Sequence, residues 1–229
     1  MVDELGTVLV TGGASGLGAA VVEALRDEGA TPVVLDRVAP ADGVEFHEVD
    51  LGQPRAAEAT VRQVADAHGG LHAVVAAAGT DACGDMLDVD PDAWDRVVMV
   101  NLIGTAAVAR AALPYLERSG GRVVTVASTL GFRALPAATA YCASKFGIVG
   151  FTRALAAETA GRVGVTLLVP GGMRTHFFDG RPEQFKPAED QLLNDPRDVA
   201  RTVVFALRQP RGCELRELVV APATEPSWP

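Results

Sequence analysis

The chain is poor in the residues that build metal and disulfide sites. Its three cysteines, Cys83, Cys142 and Cys213, are widely spaced with no C-x-x-C pair, and its four histidines are scattered. Neither a disulfide framework nor a metal site is expected from that set. Basic charge is also short, with 20 Lys and Arg against 29 Asp and Glu and a formal net charge of -9. Such a field repels phosphate backbones and anionic membrane surfaces, so neither nucleic acid nor membrane is an expected partner. No apolar run approaches the roughly 18 residues of a spanning helix, and Asp3 and Glu4 stand where a secretory signal would carry basic residues. A cytoplasmic protein is expected.

What the chain has in quantity is apolar residues, 48% of 229. That length suits one sizeable α/β domain over residues 1–229 and leaves no room for a nucleotide-binding domain plus a separate substrate domain. β-Branched apolar runs at residues 8–11, 32–36, 44–49, 73–77, 122–127, 163–169 and 215–220 alternate with Ala-rich stretches of helical length. Repeated βα units of this kind predict a Rossmann-type, doubly wound, seven-stranded parallel sheet with helices on both faces. Helices are expected over residues 17–28, 54–68, 91–117, 138–160 and 196–208, with Asp90 capping the one that opens on Pro91. Residues 172–194 have weak periodicity and read as a lid or binding loop, and Pro222 to Pro229 reads as an extended tail.

Chemistry concentrates in two places. The first predicted strand runs into Thr11-Gly12-Gly13-Ala14-Ser15-Gly16-Leu17-Gly18 and then into an amphipathic helix. Strand, glycine turn and helix together let backbone N–H groups approach a pyrophosphate at the helix amino terminus. The second strand ends in Asp36, where a carboxylate can accept hydrogen bonds from an adenosine ribose and repel the 2′-phosphate of NADP. NAD is therefore the expected cofactor and NADP the lesser alternative, with Arg37 able to offset part of that repulsion. In the second place, Tyr141 and Lys145 stand four apart in a predicted helix and share its face, and Ser128 lies just past the fifth strand. The plainer alternatives are an ordinary tight turn, a surface tyrosine over a lysine stem and a serine capping a loop.

Taken together these motifs resemble the classical short-chain dehydrogenase/reductase family along nearly the whole chain. The resemblance extends to Asp50-Leu51 after the third strand, Asn101 in Val100-Asn101-Leu102, and Pro170-Gly171-Gly172-Met173-Arg174-Thr175. It implies a catalytic tetrad of Asn101, Ser128, Tyr141 and Lys145. The cofactor would be held by Gly12, Ser15, Gly16, Leu17 and Gly18, by Asp36 and Arg37, by Asp50 at the adenine with Leu51 beside it, and by Ala78 and Gly79. Pro170, Gly171, Met173 and Thr175 would hold the nicotinamide end, and Lys145 with Tyr141 its ribose. Tyr141 would move the proton while hydride passes between the nicotinamide and a ketone or secondary alcohol, Lys145 favouring the phenolate and Asn101 supporting a relay water. A homodimer or homotetramer is implied as well.

The chain departs from that pattern in two places. Ala76-Ala77-Ala78-Gly79 stands where the family usually has Asn-Asn-Ala-Gly, and the glycine-rich segment usual after the last strand is missing. Leu130, Phe132, Leu135, Met173, Phe177 and Phe178 predict an apolar substrate pocket, with Arg133, Arg174 and His176 as candidates to orient a polar substituent. The rival readings are a non-catalytic NAD-binding regulator or scaffold, a sugar-nucleotide epimerase, for which the chain is too short, and a phosphate hydrolase or kinase. The last would need Lys and Ser or Thr after the glycine turn, where Leu17-Gly18-Ala19-Ala20 offers neither.

Overall fold

The computed structural model describes residues 5–41 and 43–228; Asp3, Glu4 and Pro229, singled out in the sequence, lie outside the described residues. The expected runs form β1 (Thr7–Thr11), β2 (Thr31–Asp36), β3 (Glu45–Glu48), β4 (Ala73–Ala76), β5 (Arg122–Val126), β6 (Gly164–Pro170) and β7 (Glu217–Val220). They make one seven-stranded sheet in the order β3-β2-β1-β4-β5-β6-β7, and every pairing is parallel. The chain winds outward from β1 to β3 and then restarts on the other side at β4, so a crevice opens beyond the carboxyl ends of β1 and β4.

Alternation along the strands builds two cores. Leu9, Val33, Leu35 and Val74 face helices α2 (Pro54–Ala67), α4 (Thr105–Ser119) and α5 (Thr139–Glu158). Val8, Val10, Val34 and Val75 face α1 (Gly16–Asp27) and α6 (Pro196–Leu207). Burial on both faces explains why these strands are apolar throughout instead of alternating. Asp90 caps α3 (Pro91–Val98) as expected, its carboxylate accepting the Ala93 N–H at 3.0 Å.

One expected helix is broken. Residues 91–117 were expected as a single α-helix, but α3 and α4 are joined by a π-helical segment, Met99–Gly104. Gly104 lies against Leu51, whose backbone oxygen would stand 2.7 Å from any Cβ added there. Val97 of α3 and Val108, Ala112 and Leu116 of α4 are all buried, and the wider turn of the π segment lies between them. The stretch Pro91–Ser119 is long and apolar enough to cross a membrane by length and composition. Val100, Val108, Ala109, Ala112 and Leu116 of this stretch are core residues here, whereas Ile103 is exposed.

The tail also differs from expectation. Residues 221–228 fold back over the carboxyl end of the sheet instead of extending away, and Trp228 packs edge-on to Phe132 with ring centroids 5.5 Å apart. The apolar residues of α5 serve two ends: Ala140, Ile148 and Leu155 are buried in the core, whereas Ala143 and Phe146 are exposed.

Candidate active site

A cleft of about 1130 Å³ lies at the crevice, and every residue picked out in the sequence for cofactor or catalysis lines it except Asn101. Glycine is required at its floor. Gly12 has φ +71°, and a Cβ there would meet Ala78 Cα at 2.7 Å. A Cβ on Gly18 would stand 2.0 Å from Gly12 O. Ser15, the residue before α1, makes no side-chain cap, so the first N–H groups of that helix are not satisfied by their own cap residue. Open donors and the helix dipole make this end suited to a pyrophosphate. Asp36 is fixed at the rim: one carboxylate oxygen accepts from Ala14 N–H at 3.0 Å, the other from Arg37 N–H at 2.6 Å. The donor set, the cradle and the carboxylate all fit a nicotinamide dinucleotide.

Asp50 lies on the same rim but already has a partner, since Arg96 donates to both its oxygens at 3.0 and 3.1 Å. Burial pushes the Asp50 carboxyl up, but the Gly52 N–H and Arg96 outweigh it, and the net direction is down. Ala78 N–H donates to Thr11 Oγ1 at 3.2 Å, so the backbone of the Ala-Ala-Ala-Gly segment is tied to β1 without the family's two amide side chains.

At the other end, Ser128 follows β5 and accepts the Leu130 N–H at 3.1 Å, which turns the chain into a short 3-10 segment, Thr129–Gly131. Ala137, a non-glycine residue at φ 57°, bends the chain just before α5. That helix then brings Tyr141 beside Ser128 at the cleft wall and lays Lys145 Nζ 5.5 Å from the centre of the Tyr141 ring. Lys145 Nζ donates to Val126 O at 2.8 Å. Burial pushes its pKa down to about 8, with Asp81 holding it up in part. Burial likewise pushes the Tyr141 phenol well above its ordinary range, while the Ser128 hydrogen bond pulls it down, Asp81 raises it and Arg181 lowers it. The expected lowering of Tyr141 by Lys145 is not found, because desolvation of the phenolate dominates.

Asn101 stands behind this wall, in the π segment. Its Oδ1 accepts Thr80 N–H at 2.8 Å, and its Nδ2 donates to Thr80 O at 2.9 Å and to Ser144 Oγ at 3.0 Å. Its side chain therefore props the segment after β4 against α5.

Residues 6–185 match the family described as short chain dehydrogenase. The chain belongs to this family. An uncharacterized oxidoreductase of Staphylococcus aureus is 32% identical over 226 residues, covering 93% of this chain and 96% of that protein. A short chain dehydrogenase from Burkholderia cenocepacia, solved in complex with NADP, superposes with a TM-score of 0.85 at 28% identity, covering 96% of this chain and 98% of that one. An alcohol dehydrogenase from the archaeon Thermococcus sibiricus, complexed with 5-hydroxy-NADP, shares the fold at TM-score 0.83 and 23% identity, with 93% and 95% covered. The protein is thus a short-chain dehydrogenase/reductase, an oxidoreductase built on a fold that binds NAD or NADP.

In this short-chain dehydrogenase, residues 172–194 wall the cleft as expected of a lid, with Phe177 tilted against Tyr141 at 5.6 Å between centroids. Leu130, Leu135, Met173, Phe177 and Phe178 line the cleft, but three other expectations fail. Phe132 packs on Trp228, Arg133 is spent on Pro226 O at 2.7 Å, and Arg174 lies in a separate groove beside α1. His176 reaches the rim but is 86% exposed and paired with Asp179.

The charged group beside Tyr141 is instead Arg181. Its guanidinium lies 4.8 and 4.7 Å from the ring centroids of Phe177 and Phe178 and donates to Asp81 at 2.7 Å. Asp81 also accepts from the Cys83 thiol, which burial and Asp81 push up to about 12. Cys83 is thereby kept protonated and unreactive. Asp81 and Arg181 are one hundred residues apart, and no local pattern links them.

Proposed function

We propose that residues 1–229 form a single oxidoreductase domain that interconverts a ketone and a secondary alcohol with NAD(H). One observation carries this reading: Tyr141, beside Ser128 and backed by Lys145, lines the same cleft as the glycine turn and Asp36. The bound nicotinamide would supply or remove the hydride at the substrate carbon. Tyr141 donates the proton to the substrate oxygen in reduction and accepts it in oxidation. Ser128 donates to that oxygen and holds it beside Tyr141. Lys145, as a cation, offsets the charge left on Tyr141 after it donates. The Thr11–Gly18 turn, with Arg37, Asp50, Leu51, Ala78 and Gly79, would seat the nucleotide, and Pro170, Gly171, Met173 and Thr175 the nicotinamide end. The apolar wall of Leu130, Leu135, Phe177 and Phe178 favours an apolar substrate.

NAD is favoured over NADP because a ribose 2′-phosphate would meet the Asp36 carboxylate. The Burkholderia protein was solved with NADP, so the two must be separated by measurement. In thermal denaturation, NADH is expected to raise Tm by several degrees, and NADPH at equal concentration by clearly less. Equal stabilisation by both would remove Asp36 as the discriminating group.

A pH profile tests Lys145. Tyr141, shifted upward, stays protonated well beyond neutrality, whereas Lys145 is a cation only below about 8. Reduction is therefore expected to be flat from about pH 6 to 8 and then to fall about tenfold per unit as Lys145 loses its proton. A plateau extending to about pH 10 would mean that the Lys145 charge takes no part.

A cytoplasmic setting accords with the free thiols of Cys83, Cys142 and Cys213. The exposed Phe146 and Ala143 on α5 offer a face for a homodimer or homotetramer.

A further inference from the structure

The residues after β7 are tied to the cleft by one carboxylate. Glu225 Oε2 accepts the Gly172 N–H at 2.8 Å, while its Oε1 accepts the Ser227 N–H at 3.1 Å and the Ser227 hydroxyl at 2.5 Å. Ser227 Oγ lies 2.7 Å from Thr129 Oγ1, on the turn that begins at Ser128. The fit is close, since a Cβ on Gly171 would stand 2.5 Å from Glu225 Oε2. One side chain thus joins the segment after β6, the Ser128 turn after β5 and the tail itself.

We infer that Glu225 is a positioning residue for the nicotinamide end of the cofactor, an inference that rests on the dinucleotide reading above. Gly171 and Gly172 have no side chains with which to anchor themselves, and two adjacent glycines leave the backbone its widest freedom. The Pro170–Thr175 stretch must nevertheless hold one geometry if the hydride is to travel in line to the carbon beside Ser128 and Tyr141. Val220 O accepts the Gly171 N–H at 3.0 Å and the Asn194 N–H donates to Gly172 O at 2.9 Å, and the charge-assisted hydrogen bond from the Gly172 N–H to the carboxylate completes that restraint. Ser227 and Thr129 transmit the same restraint to the Ser128 turn, so the hydride end and the proton end of the site are set relative to each other. Pro226, whose carbonyl accepts from Arg133 at 2.7 Å, and Trp228, packed on Phe132, hold Glu225 in place.

The test compares Glu225→Ala and Glu225→Gln with the parent, by calorimetric binding of NADH and of ADP-ribose, which lacks the nicotinamide. Glu225→Ala is expected to bind NADH about tenfold more weakly, and ADP-ribose within about twofold of the parent. It should also show a larger primary isotope effect with 4-deuterated NADH, as hydride transfer becomes slower relative to release. Glu225→Gln keeps an acceptor for the Gly172 N–H and should recover most of the NADH affinity. In the absence of any ligand, the Gly172 amide should exchange with solvent at least about tenfold faster in Glu225→Ala. Unchanged NADH affinity, or equal losses for NADH and ADP-ribose, would overturn the positioning role. Unchanged Gly172 exchange would show that the bond itself is missing. Failure of the parent to bind either ligand would instead fall on the dinucleotide reading, and the positioning role would go with it.

Discussion

Tyr141→Phe should bind NADH as the parent does and turn over on the order of 10³-fold more slowly. The substitution removes one oxygen and leaves the ring, which keeps its contact with Phe177 at 5.6 Å, so the fold has little reason to change. What disappears is the hydroxyl that lies beside Ser128 in the cleft wall. Because the phenol is shifted upward by burial, the protonated form dominates at neutral pH. Oxidation requires the phenolate and should become easier as the solution grows more alkaline. The measurement is steady-state turnover followed by absorbance of the reduced nicotinamide, paired with NADH binding on the same variant. A variant that keeps more than about a tenth of parental turnover would take Tyr141 out of proton transfer.

The second large effect is expected at Gly18. An added methyl would stand 2.0 Å from Gly12 O, 2.6 Å from Gly12 C and 3.0 Å from Gly13 Cα, all of them backbone atoms. A clashing side chain can rotate away, but here the turn itself has to open. Gly18→Ala is expected to cost about 2–3 kcal/mol of stability, a fall in Tm of roughly 5–10 °C for a chain this long. The same opening displaces the N–H groups at the start of α1, so NADH affinity should drop by more than about 100-fold. Differential scanning calorimetry and NADH titration check the two parts separately. Undiminished NADH binding would mean that the turn is not the seat of the dinucleotide.

These two sites were legible in the sequence because each is local. The glycine turn is eight consecutive residues between a strand and a helix, and Tyr141 and Lys145 share a helix face by spacing alone. The sheet was legible too, since strands covered on both sides are apolar at every position and few other folds demand that. The π segment was not legible, because a stretch apolar enough to look like one long helix carries no mark in its spacing of a single widened turn. Asp81 and Arg181 were missed for a different reason. Each looks like an ordinary surface charge until the chain closes and buries the pair beside Tyr141, with side chains only 8% and 16% exposed. Glu225 was hidden in a proline-rich tail, where spacing says nothing of direction. The upward shift of Tyr141 likewise depends on desolvation, which is known only once the walls of the cleft are in place.

The widened turn at Met99–Gly104 carries Asn101, whose side chain ties Thr80 to Ser144, one turn along α5 from Tyr141. Straightening that turn would loosen the loop after β4 and the helix of Tyr141 at once, two elements that are distant in sequence and joined here by a single amide side chain.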